Sequence, residues 1–162
     1  MKNIINQIIS FILPITVLII IPLNIEDDLS IKSIPNLTGG LVLMCLGIFV
    51  MFLTISAFIR IGKGTLAPWS PTKKLVITEM YAYVRNPMIL GVLIVLTGES
   101  IAISSFKIFH WDLLFFILNN VYFGLFEEPG LAKRFGDEYS VYKKHVHRWI
   151  PRLKPYKPEL NQ

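Results

Sequence analysis

Apolar residues run in four long stretches along the chain, and short polar segments separate them. The hydrocarbon core of a bilayer is about 30 Å thick and needs roughly 20 apolar residues in a crossing helix, so each stretch is a candidate span. The pattern predicts one membrane domain over residues 1–162, an all-α integral membrane protein with about four transmembrane helices. The predicted spans run from about Ile4 to Leu23, Leu37 to Ile59, Pro87 to Phe106 and Trp111 to Phe126.

Three polar side chains interrupt the last two spans. Glu99 lies in the third span, and Asn119 and Asn120 lie in the fourth, which is short. Polar groups at this depth favour the interior of a helix bundle, where they either hydrogen-bond between helices or line a substrate path. The second span instead has small residues that allow close helix packing, namely Gly39, Gly40 and Gly47.

A further helix is predicted after the fourth span. Apolar residues recur there at every third or fourth position, in the order Leu131, Phe135, Tyr139, Tyr142 and Val146. This period is typical of an amphipathic helix. We expect the helix to run from about Glu128 to His147 on the cytoplasmic side, and to lie on the membrane or cap the bundle.

Composition and charge agree with a membrane protein. The 162 residues are 53% hydrophobic and 17% charged, and the single Cys45 allows no disulfide within the chain, which excludes a Rossmann enzyme and a disulfide scaffold. The net charge is +5, but 14 of the 16 Lys and Arg residues fall on one membrane face if there are four spans. Because cytoplasmic loops retain positive charge, we expect both termini in the cytoplasm and a location in the cytoplasmic (inner) membrane. Membrane lipids are then the expected partners, and nucleic acid is not.

One polar cluster on that face precedes the third span. The segment Tyr81-Ala82-Tyr83-Val84-Arg85-Asn86-Pro87 places a cation and an amide directly before a helix that begins with proline. The cation, Arg85, either anchors the protein at the lipid headgroups or takes part in a site. No metal site is expected, because His145 and His147 point to different sides of a helix and no cysteine lies near them.

A second polar cluster, Glu127-Glu128-Pro129, ends the fourth span. Carboxylates at this position oppose the negative end of the helix dipole and lie at the edge of the hydrocarbon, so a compensating cation or ligand is expected. The two acids either form an ion pair with Arg85, Lys133 or Arg134, or they enclose a zwitterionic ligand together with an Arg from another segment. Amino-acid head groups carry the matching ammonium and carboxylate.

Both clusters belong to a series of blocks that resembles the isoprenylcysteine carboxyl methyltransferase family and its bacterial relatives, within a wider group that includes phospholipid methyltransferases. The resemblance covers roughly residues 62–152. The blocks are Gly64-Thr65-Leu66-Ala67-Pro68-Trp69, Leu75-Val76, Tyr81, Tyr83-Val84-Arg85-Asn86-Pro87-Met88, Gly91, Glu127-Glu128-Pro129, Leu131, Phe135-Gly136, Tyr139, Tyr142 and Arg148-Trp149-Ile150-Pro151-Arg152.

The resemblance implies an integral membrane methyltransferase that uses S-adenosylmethionine, with S-adenosylhomocysteine as product, and has no Rossmann domain. Its cofactor pocket would be formed by the last spans and the tail. An acidic residue would hold the methionine ammonium, Arg85 or Arg134 would meet a carboxylate, and aromatic side chains would pack on the adenine or the sulfonium. The cofactor-binding residues implied are Tyr81, Arg85, Asn86, Pro87, Gly91, Glu127, Glu128 and Tyr139, and the catalytic residues implied are Arg85, Glu128 and Arg134.

The expected methyl acceptor is small and lipophilic, or embedded in the membrane, or lipid-modified. A carboxylate acceptor, as in isoprenylcysteine, would need alignment and partial desolvation but no general base. An amine or hydroxyl acceptor would need proton removal, for which Glu127 or Glu128 is the candidate. The alternative is a non-catalytic membrane module, lipid-binding or accessory to a transporter, in which both clusters are ion-paired architecture.

Overall fold

The computed structural model describes residues 12–62 and 74–157. These residues form helices and no β-strand, which confirms the predicted all-helical class. Residues 4–11 of the first predicted span and the block Gly64 to Trp69 lie outside the described residues. The helices are α1 (Ile12–Ile25), α2 (Ile34–Gly62), α3 (Pro87–Ala102), α4 (Phe106–Tyr122) and α5 (Glu128–His145).

Two helical segments are long and apolar enough to cross a membrane. One is Ile34–Ala57 within α2, and the other is the continuous run Phe106–His145, to which α4 and α5 belong. Every charged residue of this run after Asp112 lies at or beyond Glu127, so its apolar part ends at Phe126. The helices α1 and α3 are apolar but shorter, and their crossing of the membrane stays a prediction.

α2 and α3 pack antiparallel through two pairs of glycines, Gly40 with Gly98 and Gly47 with Gly91. A Cβ atom on Gly47 would lie 2.7 Å from the carbonyl oxygen of Gly91, and one on Gly40 would lie 2.5 Å from that of Gly98. The two backbones approach so closely because no side chain separates them. The predicted role of Gly40 and Gly47 is therefore confirmed, whereas a Cβ on Gly39 would have no neighbour within 4 Å.

A tight turn joins α3 to α4, so α3 ends before the predicted limit at Phe106. Ser104 has a φ of 54°, a conformation that cannot continue a helix. The Ser105 side chain then caps α4 by accepting a 3.1 Å hydrogen bond from the amide of Ile108. The Trp111 indole donates to the Val17 carbonyl oxygen at 3.1 Å, which ties α4 to α1.

α4 and α5 form one helical run, whereas a separate helix was predicted after the fourth span. Pro129 does not end the run because it lies in the first turn of α5, where its missing amide costs little, and a π-helical turn at Phe123–Glu127 precedes it. The run instead kinks at Gly136, which has φ 53° and ψ −126°. α5 ends at His145, two residues before the predicted limit.

The apolar residues predicted to share a face of the last helix do pack together. Tyr139, Tyr142 and Val146 are buried in one cluster, against which Leu131 and Phe135 pack. The other members of the cluster are not lipid-facing residues of the long helices but Leu75, Ile77 and Tyr156. This face therefore covers the segment before α3, and it holds that segment against α5.

Candidate active site

The first predicted cluster lies in the turn that leads into α3. A 3-10 turn at Glu79–Ala82 is followed by Arg85 and Asn86, and Pro87 begins the helix. Proline disfavours a helical conformation in the residue before it, and Asn86 accordingly has φ −127° and ψ 59°. The chain changes direction here, and the amide of Arg85 donates to the carbonyl oxygen of His147 at 2.9 Å.

The Arg85 side chain binds three separate groups. Its Nη1 donates to Glu128 Oε1 at 2.7 Å and to the Tyr139 hydroxyl at 3.2 Å, and its Nε donates to the Val146 carbonyl oxygen at 2.8 Å. Only 12% of the side chain is exposed. A guanidinium carries its donors in a rigid fork, so it can join several partners at once. The structure thus brings together Arg85, Glu128 and Tyr139, three of the predicted site residues.

Glu128 is buried and is surrounded by three cations. Its Oε1 accepts from Arg85 and from Nε and Nη2 of Arg148, at 2.7 and 2.6 Å, and its Oε2 lies 2.7 Å from Lys143 Nζ. Burial raises the pKa of Glu128. The hydrogen bonds from Lys143 and Arg148 and the charge of Arg85 lower it by more, so the pKa lies below its ordinary value. One carboxylate balances only one of the three positive charges.

The other two cations proposed as partners of the acids do not reach them. Lys133 and Arg134 are exposed, and within the described ranges neither forms an ion pair. The Arg134 guanidinium lies instead over the ring of Phe135, 5.6 Å from its centroid. Lys143 and Arg148 bind Glu128 instead. Lys143 follows the kink at Gly136, and Arg148 follows the end of α5 at His145. The predicted catalytic role of Arg134 stays a prediction.

Glu127 is half-buried, and no residue in the described part of the chain donates a hydrogen bond to it or pairs with it. Burial raises the pKa of Glu127, and the charge of Arg134 lowers it only in part. Burial also raises the pKa of the Tyr81 phenol, with the Glu127 charge as the second cause, so these two side chains are neighbours. An acid in this state is suited to bind a cation of a ligand.

Two buried donors near the cluster lack acceptors. Asn86 is 7% exposed, and its Nδ2 has no hydrogen-bond partner. Nη1 of Arg152 is also buried and unpaired, and the main chain of Arg152 bonds to the Tyr83 carbonyl oxygen at 2.9 Å. Buried donors without partners are rare in proteins because each leaves its desolvation uncompensated. A group with acceptor atoms could satisfy both donors.

Residues 146–157, here called the arm, run beside residues 82–85, the segment that leads into α3. The amide of Tyr156 bonds to the Ala82 carbonyl oxygen at 2.9 Å, and Nη1 of Arg148 donates to Asn120 Oδ1 at 2.7 Å. Arg148 therefore joins the arm to α4 as well as to Glu128. Neither Arg148 nor Lys143 was predicted as a site residue, although Arg148 lies in one of the blocks that carry the resemblance.

Pro87 and Gly91, two of the predicted cofactor-binding residues, both lie on α3. Pro87 is buried at the first position of α3. A Cβ on Gly91 would meet Met51 Cγ at 2.6 Å and the Gly47 carbonyl oxygen at 2.9 Å, so this glycine faces α2. Its observed role is helix packing, and its cofactor contact stays a prediction.

The polar residues inside the predicted spans have different roles. Asp112, which was not singled out, accepts a 2.7 Å hydrogen bond from Thr97 and so links α4 to α3. Glu99 Oε2 is buried without a partner. Asn119 bonds to a carbonyl oxygen of its own helix, whereas Asn120 binds the arm. A hydrogen bond between helices was expected from Glu99, Asn119 or Asn120. Among the polar residues of the spans named here, Asp112 and Thr97 form it.

A cavity of about 480 Å³ lies between α2 and the 3-10 turn. Its walls are mainly apolar, and an ion pair between Arg60 and Glu79 stands at its polar end. Tyr83, two residues before Arg85, forms part of the wall. Its lining residues are Phe52, Leu53, Ser56, Arg60, Glu79, Met80 and Tyr83.

Comparison with known proteins agrees with the resemblance that the motif blocks carry. The family model described as phospholipid methyltransferase matches residues 35–138. A protein-S-isoprenylcysteine O-methyltransferase of Schizosaccharomyces pombe is 31% identical over 121 residues, which are 70% of this chain and 49% of that protein. The chain thus spans about half the length of this curated relative. No solved structure matches the chain.

Proposed function

Since the chain belongs to the phospholipid methyltransferase family, we propose that it transfers a methyl group from S-adenosylmethionine to a small lipophilic or membrane-embedded acceptor. The observation that carries the proposal is the assembly of Arg85, Glu127 and Glu128 at one place. These residues come from two segments separated by about 40 positions, and they join a buried, positively charged cluster to an acid that none of the described cations binds.

The cluster fits the zwitterionic end of this cofactor. The three cations around Glu128 leave a surplus of positive charge, and Asn86 Nδ2 offers a buried donor without an acceptor. Both features suit a carboxylate. Glu127 is available for an ammonium group. When bound, S-adenosylmethionine supplies a methyl group on a sulfonium, which a nucleophile displaces in line.

In this proposal, different residues bind the ammonium and the carboxylate of the cofactor. Glu127 binds the ammonium, while Arg85 and Asn86 bind the carboxylate. Tyr139 is 2% exposed and accepts from Arg85, so it holds the guanidinium in place and does not offer its ring to the cofactor. Tyr81 flanks Glu127. This assignment keeps the predicted role of the acids and gives the carboxylate contact to Arg85, one of the two arginines predicted for it.

The cavity beside Tyr83 supports a lipophilic acceptor. Its apolar walls are formed by α2, one of the two segments able to cross a membrane, so an acyl or prenyl chain could enter from lipid. Its polar end lies on the segment that carries Arg85. A carboxylate acceptor placed there would need no base, so Glu127 can bind the cofactor ammonium throughout.

A non-catalytic membrane module is the second candidate, and one observation favours it. Glu128 is fully engaged by Arg85, Arg148 and Lys143, as purely structural ion pairing requires. Such a module gives no reason for the unpaired Asn86 Nδ2 or for a half-buried Glu127 without a cation from the described residues. These two groups therefore separate the candidates.

Calorimetric titration of S-adenosylhomocysteine into the purified full chain in mild detergent tests the proposal. We expect saturable binding to the wild type and a loss of at least tenfold in affinity in Glu127→Gln and in Asn86→Ala. Glu138→Gln is the matched control, because Glu138 is an exposed acid on the same helix. Binding that is unchanged in Glu127→Gln and Asn86→Ala, or absent from well-folded wild type in detergent and nanodiscs, would favour the module.

The acceptor class can be assigned with the same protein. The full chain would be incubated with methyl-labelled S-adenosylmethionine and either a prenylcysteine or phospholipid vesicles with amine headgroups. Label in the prenylcysteine as a base-labile ester identifies a carboxylate acceptor, and base-stable label in the lipid identifies an amine. No label in either, with binding of S-adenosylhomocysteine intact, would exclude both of these acceptors.

We also propose a multi-pass topology in the inner membrane, with four spans and both termini cytoplasmic. The support is the distribution of Lys and Arg in the sequence together with the apolar helices α1 to α4. Tags at both termini should then react with membrane-impermeant reagents only after the cell is opened. A tag that reacts in intact cells would overturn this topology.

A further inference from the structure

The arm and the last turn of α5 form a strongly basic segment. Residues 143–157 contain six Lys and Arg residues and no Asp or Glu. Two of these cations, Lys143 and Arg148, bind Glu128. The other four are Lys144, Arg152, Lys154 and Lys157. Within the described ranges 12–62 and 74–157, none of these four is ion-paired.

Two large apolar side chains lie among these cations and are exposed. Ile150 is 70% exposed and Leu153 is fully exposed. Each is next to, or one residue away from, a cation of the arm. Isolated apolar residues are common on soluble surfaces, but alternation of exposed aliphatic and basic residues is typical of segments that lie at a membrane interface.

Trp149 fixes the arm against the second half of the apolar run of α4. The Trp149 ring packs against Phe116 and Phe123, with centroid distances of 5.3 and 6.4 Å, and its indole donates to Asn120 Oδ1 at 3.2 Å. Phe123 lies within one turn of Phe126, where the apolar run ends, and Phe116 lies about three turns before it. The arm is therefore held against a helix that is long and apolar enough to enter a membrane.

We propose that the arm is a binding surface for anionic lipid headgroups of the bilayer that α4 enters. Ile150 and Leu153 insert among the upper acyl chains, and Lys154 and Lys157, which are exposed, bind the headgroup phosphates. Charge complementarity selects this occupant, because the exposed cations have no acidic partner in the described part of the chain. A juxtamembrane cation strengthens attachment to an anionic surface by roughly fivefold. The proposal requires α4 to enter a membrane but does not depend on methyl transfer.

A fluorescent label on the arm tests this surface. The full chain with Cys45→Ser and Leu153→Cys would carry an environment-sensitive NBD label and be placed singly in nanodiscs of phosphatidylcholine with or without about 30% phosphatidylglycerol. A label at position 153 should not disturb the packing, because the Leu153 side chain is fully exposed. We expect blue-shifted emission and quenching by lipids spin-labelled high on the acyl chain, both stronger in anionic discs. The same label at Glu138→Cys, on an exposed part of α5, should report water in both discs.

Substitution of the cations identifies their role. Lys154→Gln and Lys157→Gln together should reduce the difference in quenching between anionic and neutral discs by at least fivefold, and high salt should have the same effect on the wild type. Water-like emission at position 153 in every disc would overturn the proposal. So would a blue shift that appears only when two copies share a disc, which would identify a second copy of the chain as the occupant.

Discussion

Arg85 Nη1 lies 2.7 Å from Glu128 Oε1, although the two residues are 43 positions apart in the sequence. Both side chains are nearly buried, with 12% and 7% of their surfaces exposed. Loss of one member of such a pair leaves the other charge without compensation in a site of low polarity. The contact therefore couples the segment before α3 to α5, and the integrity of the site depends on both residues.

Replacement of Arg85 should affect binding and stability together. Arg85→Ala removes the bonds to Glu128, Tyr139 and Val146, so we expect a loss of about 3 kcal/mol in the free energy of unfolding and no measurable binding of S-adenosylhomocysteine. Arg85→Lys keeps the charge but not the fork, and an intermediate loss is expected. Unfolding in detergent and calorimetry measure the two effects. Equal stability of Arg85→Ala and wild type would contradict the coupling.

Glu128→Gln should lower stability in a manner that depends on pH. The pKa of Glu128 in the folded protein lies below the ordinary glutamate value of 4.5, so the folded state binds fewer protons than the unfolded state. The stabilisation by the carboxylate is thus complete above pH 4.5 and is lost as the pH falls through the folded pKa. The difference between wild type and Glu128→Gln should be about 2–3 kcal/mol at pH 7 and should shrink below pH 4.5. A difference independent of pH from 7 to 3 would refute the ion pairing of Glu128.

The glycine pairs between α2 and α3 should tolerate no added methyl group. Gly47→Ala and Gly98→Ala place a Cβ less than 3 Å from backbone atoms of the facing helix, so the helices must separate. We expect losses of about 1–3 kcal/mol in the free energy of unfolding. Gly39→Ala is the matched control, because its Cβ meets nothing within 4 Å, and it should be neutral or slightly stabilising. The same loss in Gly39→Ala would indicate a general effect of helix glycines.

Gly136→Ala should weaken the kink between the two parts of α5. The cause is the φ of 53° at Gly136, which costs a residue with a Cβ about 1–2 kcal/mol, and not a steric clash, because the space around it is open. We expect faster amide hydrogen exchange in residues 137–157, which lie beyond the kink. Gly130→Ala, in the helical first turns of α5, should not have this effect. Unchanged exchange in Gly136→Ala would show that the kink is not required to position the arm.

The residues that sequence analysis placed correctly are those whose position follows from local pattern. Gly40 and Gly47 fall in an uninterrupted apolar stretch, where small residues in membrane helices mark contacts. Arg85 was one of three cations predicted as possible partners of Glu127 and Glu128, because carboxylates at the end of a span require a cation or a ligand. The family predicted from the motif blocks is confirmed by the comparisons with known proteins.

Sequence analysis missed residues whose position depends on how the chain folds back on itself. Arg148 lies in an arm without helical period, and only the bonds of the arm to Ala82 and Tyr83 bring it to Glu128. The signal available for Asp112 was simpler, since a carboxylate inside a predicted span is itself unusual. The fourth span and the last helix were predicted as separate elements, but a proline in the first turn of a helix is compatible with continuation of the run.

The main-chain bonds between the arm and residues 82–85 also bear on how the protein is made. Ribosomes synthesise α1 to α5 before the arm, so the helices can enter the membrane while Glu128 still lacks Arg148. Glu128 then meets its third cation only after the arm has emerged. A nascent chain halted after α5 would therefore hold Glu128 between Arg85 and Lys143 alone, and the site would close only when the arm binds.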